Sequence, residues 1–182
     1  MATYHHGDLR AAVLAAAGKM IEKQGLAGLS VREAARRAGV SHNAPYRHFP
    51  DRDALLAALA AQGFAELGKA LQGRAGRELG EVYVRFALAQ PERFRLMFGA
   101  RLRFERHPAL REAAQQTYAA LVSAFRAEGG IADPDKAALA AWSLVHGLAH
   151  LLLDGHFAAQ RGEAFVRSVL CAVRFAAVQR PA

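Results

Sequence analysis

Two short runs in the sequence hold side chains whose types and spacing suit a chemical task. The first is Ser41-His42-Asn43, followed by Tyr46-Arg47-His48. Serine, histidine and asparagine are short polar groups able to hydrogen-bond base edges in a DNA major groove. Tyr46, Arg47 and His48 offer donors to phosphates on either side. The second run is His146, His150 and Asp154, which share one helical face at i, i+4 and i+8. His-x-x-x-His spacing suits one zinc ion, but Gly147 stands where a zinc hydrolase carries its glutamate. Histidines hydrogen-bonded within a core or lining a pocket are the simpler reading, so neither a metal nor another cofactor is expected. Cys171 is the only cysteine, which excludes an intrachain disulfide and a thiolate metal cluster. A helical enzyme would need a nucleophile beside an activating base, or converging carboxylates. Neither is found, so no catalytic residues are assigned and no enzyme is expected.

These side chains need elements to hold them, and the composition makes those elements helical. The chain has 182 residues, with 42 alanines and 22 leucines against 15 Val, Ile and Thr together. Alanine and leucine favour helices and β-branched residues favour strands, so the expected class is all-α. The formal charge is +8, from 24 basic and 16 acidic residues, with 20 of the basic ones arginine. Part of that surplus reads as a coding bias towards arginine. Position says more: residues 1–50 hold 7 basic and 3 acidic side chains, the most cationic stretch by density. Such an end suits a polyanion. No charged start with an apolar core and a cleavage site is seen, so a cytoplasmic protein is expected.

The positioning of the first run is legible in detail. Leu9, Val13, Ala16, Met20 and Ile21 make an apolar stripe ended by Gly25. Ser30 with Glu33 three residues on reads as a capping box that starts a second helix, Val31 to about Ala38. Ala35 supplies a small residue for a close crossing, and Gly39 supplies the turn. Ser41 is expected to cap a short third helix ending near Phe49-Pro50, with Pro45 in its first turn, where the missing N–H has no intrahelical acceptor to lose. Asp51 then caps a long fourth helix through Leu55, Leu59, Phe64 and Leu71. A helix-turn-helix is the reading that unites these signals.

Beyond Gly68, Gly73, Gly76 and Gly80, helices are expected at Glu81–Gln90, at Glu92–Phe98 and from His107-Pro108 to Gly129. Asp133-Pro134 opens another by a capping aspartate and a proline at the first position. Residues Ala137–Leu153 are 17 consecutive uncharged positions. That is short for a membrane span of about 20 residues. A helix apolar on every side must be covered on every side, partly by its own domain and partly by a partner. A last helix, about Glu163–Gln179, carries Phe165, Val166, Val169, Leu170 and Val173.

Tyr4-His5-His6-Gly7-Asp8-Leu9-Arg10, the segment Leu29–Phe49 and the continuation Pro50–Leu59 together resemble the DNA-binding module of TetR-type transcriptional regulators. Trp142, His146 and Gly147 further resemble the Trp-x-x-x-His-Gly signature of one subgroup. The resemblance implies an N-terminal three-helix module, residues 1–52, joined through the long fourth helix to a helical effector-binding and dimerisation domain, residues 53–182. It implies that Ser41, His42, Asn43 and Pro45 face bases, while Tyr46, His48 and Arg52 contact phosphates; Ser30 and Arg47 complete the DNA-binding set. It implies a homodimer through the last two helices and an effector cavity, for which Phe98, Tyr118, Trp142 and His146 are the expected contacts. The expected function is a repressor of a near-palindromic operator, released by a small, mostly apolar effector. A DNA-binding regulator without a ligand, either a constitutive repressor or an activator, is the alternative, ahead of a small helical enzyme.

Overall fold

The computed structural model describes residues 8–99, 101–157 and 162–172, and every regular element among them is helical. Tyr4–Gly7 and the end of the last predicted helix lie outside the described residues. The chain divides into two compact units. The first comprises residues 1–64 and 90–113, the second residues 65–89 and 114–182. Packing thus groups the chain differently from the division at residue 52 that the sequence suggested.

In the first unit, helix α1 (Asp8–Gln24) buries Leu9, Val13, Leu14, Ala17, Met20 and Ile21. It ends at Gly25, whose φ of 69° is a conformation that side chains with a Cβ rarely adopt. Helix α2 (Val31–Arg37) begins where the Ser30 Oγ accepts a hydrogen bond from the Glu33 N–H at 3.1 Å. Only this half of the expected capping box forms. The Glu33 carboxylate turns to Arg36 and Arg37 instead of back to Ser30. Ala34 and Ala35 are fully buried, as a close crossing requires, and Gly39 makes the turn at φ 71°.

The third helix departs from expectation. It is a 3-10 turn, Ala44–Arg47, whose N-cap is Asn43 rather than Ser41. Pro45 explains the shift. With Ser41 as the cap, Pro45 would stand fourth in an α-helix, and its ring would meet the Ser41 carbonyl. Moving the start to Asn43 puts Pro45 second, and the backbone closes through i→i+3 bonds, Ala44 N–H to Ser41 O at 3.2 Å and His48 N–H to Pro45 O at 2.9 Å. Helix α3 (Arg52–Leu71) follows, its Ala54 N–H donating to the Asp51 side chain at 2.7 Å. Helix α5 (Pro91–Phe98) belongs to this unit because Glu22 of α1 accepts from the backbone N–H groups of Glu92 and Arg93, at 3.2 and 2.9 Å. A carboxylate at a helix start satisfies amides that have no intrahelical acceptor.

The second unit is built on helices α4 (Arg77–Ala89), α7 (Pro134–Leu153) and α8 (Glu163–Ala172), with most of α6 (Pro108–Glu128). Gly80 stands before the helix expected from Glu81, yet it lies inside α4. A Cβ there would stand 3.1 Å from both Leu170 and Val145, so glycine lets α4 approach α7 and α8 closely. Asp133 caps α7 as expected, accepting from the Lys136 N–H at 3.0 Å. One face of α7 buries Ala138, Ala141, Val145, Leu148, Ala149 and Leu152, while Leu139 and Leu151 on another remain 49% and 44% exposed.

Candidate nucleic-acid interface and aromatic cluster

The reading segment presents its polar residues outward. Ser41, His42, Asn43, Tyr46, Arg47 and His48 are all exposed, while Phe49 beneath them is 1% exposed and receives the Arg10 guanidinium 5.8 Å from its ring centroid. The structure therefore brings six of the nine residues expected at DNA onto one short exposed segment. Beside it, Ser30, Arg32, Glu33, Arg36, Val40 and His42 line an open groove of about 430 Å³. Sequence reasoning passed over Arg32 and Arg36 here, because on a short helix either reads as an ordinary solvated side chain.

Two expected contacts take other roles. Pro45 is buried, so it shapes the turn rather than facing bases. Arg52 is turned inward: its Nε donates to the Leu29 carbonyl at 2.8 Å, and its Nη2 donates to the Leu26 carbonyl. Those carbonyls lie around the short 3-10 turn between α1 and α2, where the Leu26 oxygen also accepts from the Leu29 N–H at 3.3 Å. Arg52 closes that turn and is not held out towards a phosphate.

In the second unit, Tyr118, Trp142 and His146 come together around Tyr83, which sequence reasoning missed. The Trp142 Nε1–H, which can only donate, meets the Tyr83 Oη at 3.0 Å, and the same oxygen lies 2.8 Å from His146 Nδ1. In the neutral His146 tautomer with hydrogen on Nε2, the Tyr83 hydroxyl donates to Nδ1 while its oxygen accepts from tryptophan. Burial pushes the Tyr83 phenol up and keeps it a donor. Burial, and next the neighbouring His150, push the His146 imidazole down and favour its neutral form. The ring centroids of Tyr118 and Trp142 lie 5.7 Å apart, those of Trp142 and His146 5.9 Å, and those of His146 and His150 4.6 Å. The available signal for Tyr83 was a phenol on the Leu79–Val84–Ala87 apolar face of α4, since a buried hydroxyl needs a partner. Phe98 belongs to the first unit, where its ring lies 4.8 Å from Phe94 and 5.1 Å from Phe64. Asp154 caps the end of α7, and among the described residues no three His, Cys, Asp or Glu side chains gather as metal ligands would.

A helix-turn-helix with its polar row exposed, carried by an all-helical chain, defines the class of DNA-binding regulators. Comparison with known proteins fixes the family. Residues 13–59 match the bacterial regulatory proteins of the tetR family, and residues 77–173 match the tetracyclin repressor-like C-terminal domain. The chain belongs to the TetR family of transcriptional regulators. It is 36% identical to a protein of unknown function from Rhodococcus sp. RHA1, at TM-score 0.79 over 94% of this chain and 96% of that one. A putative TetR-family transcriptional regulator from Rhodococcus sp. is 27% identical, at TM-score 0.62 over 91% and 96%. The multidrug binding protein EbrR, solved with imidazole, is 25% identical, at TM-score 0.59 over 90% and 88%. No curated protein matches the chain.

Proposed function

We propose that this regulator acts in the cytoplasm as a homodimeric repressor of a near-palindromic operator and leaves it on binding a small, mostly apolar effector. The observation that carries the DNA-binding part is the exposed row Ser41–Asn43 and Tyr46–His48 on a buried proline turn. His42 and Asn43, with Ser41, read base edges; Tyr46, Arg47 and His48 grip phosphates; Ser30 holds the start of α2 beside them. Dimerisation uses α7 and α8, and the uncovered Leu139 and Leu151 of α7 suit a symmetric helix-on-helix contact. Two reading segments then stand about 34–36 Å apart, or a near multiple, matching successive turns of one DNA face.

The effector reading draws on the half-buried aromatic cluster of Tyr118, Trp142 and His146 around Tyr83, and on EbrR, a similar protein solved with a bound small molecule. Aromatic walls with a few polar groups suit a small planar or apolar ligand. To release DNA, the effector must bind better to the conformation that fits the operator worse; tight binding alone shifts nothing. Helix α3 carries residues of both units and is the element expected to move. Reciprocity follows, so operator and effector weaken each other's binding by the same factor.

Selection of binding sites from a random duplex pool tests the DNA part, with a thermal-shift screen of small aromatic compounds beside it. Enrichment of a two-fold symmetric site, released by a compound that raises the melting temperature, supports the reading. A site that is enriched but that no compound releases leaves a regulator without a ligand. Exchange of Asn43 for Ala should alter the selected sequence, whereas Tyr46→Phe with His48→Ala should weaken all duplexes and flatten the salt dependence.

A further inference from the structure

The groove beside the reading segment contains one carboxylate, Glu33, among Ser30, Arg32, Arg36, Val40 and His42. A negative charge on a surface that meets a polyanion opposes binding. Glu33 is also the hub of a cationic trio. Its carboxylate accepts from Arg36 Nε at 2.8 Å and Arg36 Nη2 at 2.7 Å, and its Oε1 accepts from Arg37 Nε at 2.8 Å. Arg37 Nη2 is steadied by Gln24 Oε1 at 3.5 Å. The i, i+3 and i, i+4 spacing puts the three side chains side by side, and the fork on Arg36 is bidentate, the geometry that best fixes a guanidinium. The two guanidiniums hold the Glu33 carboxyl down to about 2, so it stays charged at any ordinary pH.

We propose that Glu33 sets how sharply this protein discriminates its operator from bulk DNA, by holding Arg36 and Arg37 back from the phosphates of a non-matching duplex. The proposal rests on the DNA-binding reading above. Non-specific affinity comes almost wholly from cations that reach phosphates and release counterions. Two guanidiniums engaged by one carboxylate contribute less to it, and the carboxylate itself repels the backbone. On the operator the base contacts of Ser41, His42 and Asn43 add affinity that does not depend on those arginines. A repulsive element that costs the wrong partner more than the right one is a general route to specificity.

The test compares full-length wild type and Glu33→Gln on two fluorescein-labelled duplexes, one of random sequence and one that the wild type has selected from a random pool. The backbone N–H of residue 33 that bonds Ser30 is unchanged by this substitution, so the start of α2 is retained. Glu33→Gln should bind the random duplex several-fold more tightly at low salt. Its salt slope should steepen by about 1 to 2 for each bound protomer, one phosphate contributing about 0.9. The selected duplex should gain less, so the ratio of the two affinities falls. Unchanged affinity and slope on the random duplex, or equal gains on both duplexes, would overturn the proposal. Should Glu33→Gln melt early, the Arg36→Gln, Arg37→Gln double variant tests the same point. Its slope on the random duplex should match wild type, and a loss of about 1 to 2 per protomer would show that both arginines reach phosphates despite Glu33. Wild-type protein that binds neither duplex overturns the DNA-binding reading together with this one. Normal wild-type binding that is indifferent to Glu33 overturns this one alone.

Discussion

Replacing Tyr83 with Phe removes one oxygen and keeps the ring. Tyr83 is 5% exposed, and its hydroxyl is shared by the Trp142 Nε1–H at 3.0 Å and His146 Nδ1 at 2.8 Å. Both groups lose that partner at once. A deprived buried polar group costs about 1–3 kcal/mol, and a group that water can still reach sits at the low end of that range. Trp142 and His146 are half-buried, so the loss should be about 2 kcal/mol in all. For a chain of this size each kcal/mol moves the melting temperature by about 2–4 °C, giving a fall of about 4–8 °C. Trp142 is the only tryptophan, so its fluorescence reports this cluster and nothing else. The assay is a thermal melt followed by tryptophan emission, with duplex binding at room temperature as a control. Emission should shift and melting should come earlier, while DNA binding persists. A variant with unchanged emission and melting temperature would refute the shared hydrogen bond as the organiser of the cluster.

Three further outcomes follow from the same geometry. Gly80→Val should lower stability to urea by about 1–3 kcal/mol, because its side chain meets Leu170 and Val145. A more stable variant, as helix propensity alone would give, would contradict the close approach of α4. The depressed pKa of His146 means that just below 6.5 the unfolded chain binds more protons than the folded one. Stability should therefore be complete above that pH and decline as pH falls through the folded value; His146→Gln should remove this part of the decline, and an identical profile would count against it. Arg52→Gln should cost about 2 kcal/mol through its two carbonyl partners and leave the salt slope of DNA binding unchanged. A shallower slope at normal stability would return Arg52 to the phosphate backbone.

What the sequence reveals and what it hides divides along the range of the interaction. Ser30, Gly39 and Asp133 act through neighbours within a few residues, and their roles are readable directly. Partners far along the chain are not. Glycine at position 80 resembles a breaker until Val145 and Leu170 are seen against it. Tyr83 gains its meaning from Trp142 and His146, about sixty positions away, and Glu22 from the start of α5, seventy positions away. Arg52 shows the same limit from the other side, since its charge invited a phosphate while two carbonyls had already engaged it. The polar row of the reading segment was legible because it is exposed and owes its position to a short proline turn. The turn's 3-10 form was harder to foresee, because the cap moved two residues to suit Pro45.

The most direct measurement is the stoichiometry and footprint of the full-length protein on a duplex selected from a random pool. Two protomers should bind each duplex, protecting two symmetric patches on one face, about 34–36 Å or a near multiple apart. Selective loss of the sequence preference, with protection elsewhere intact, should follow Asn43→Ala. A single protomer protecting one patch, or a protein that selects no sequence at all, would contradict a dimeric operator-reading regulator.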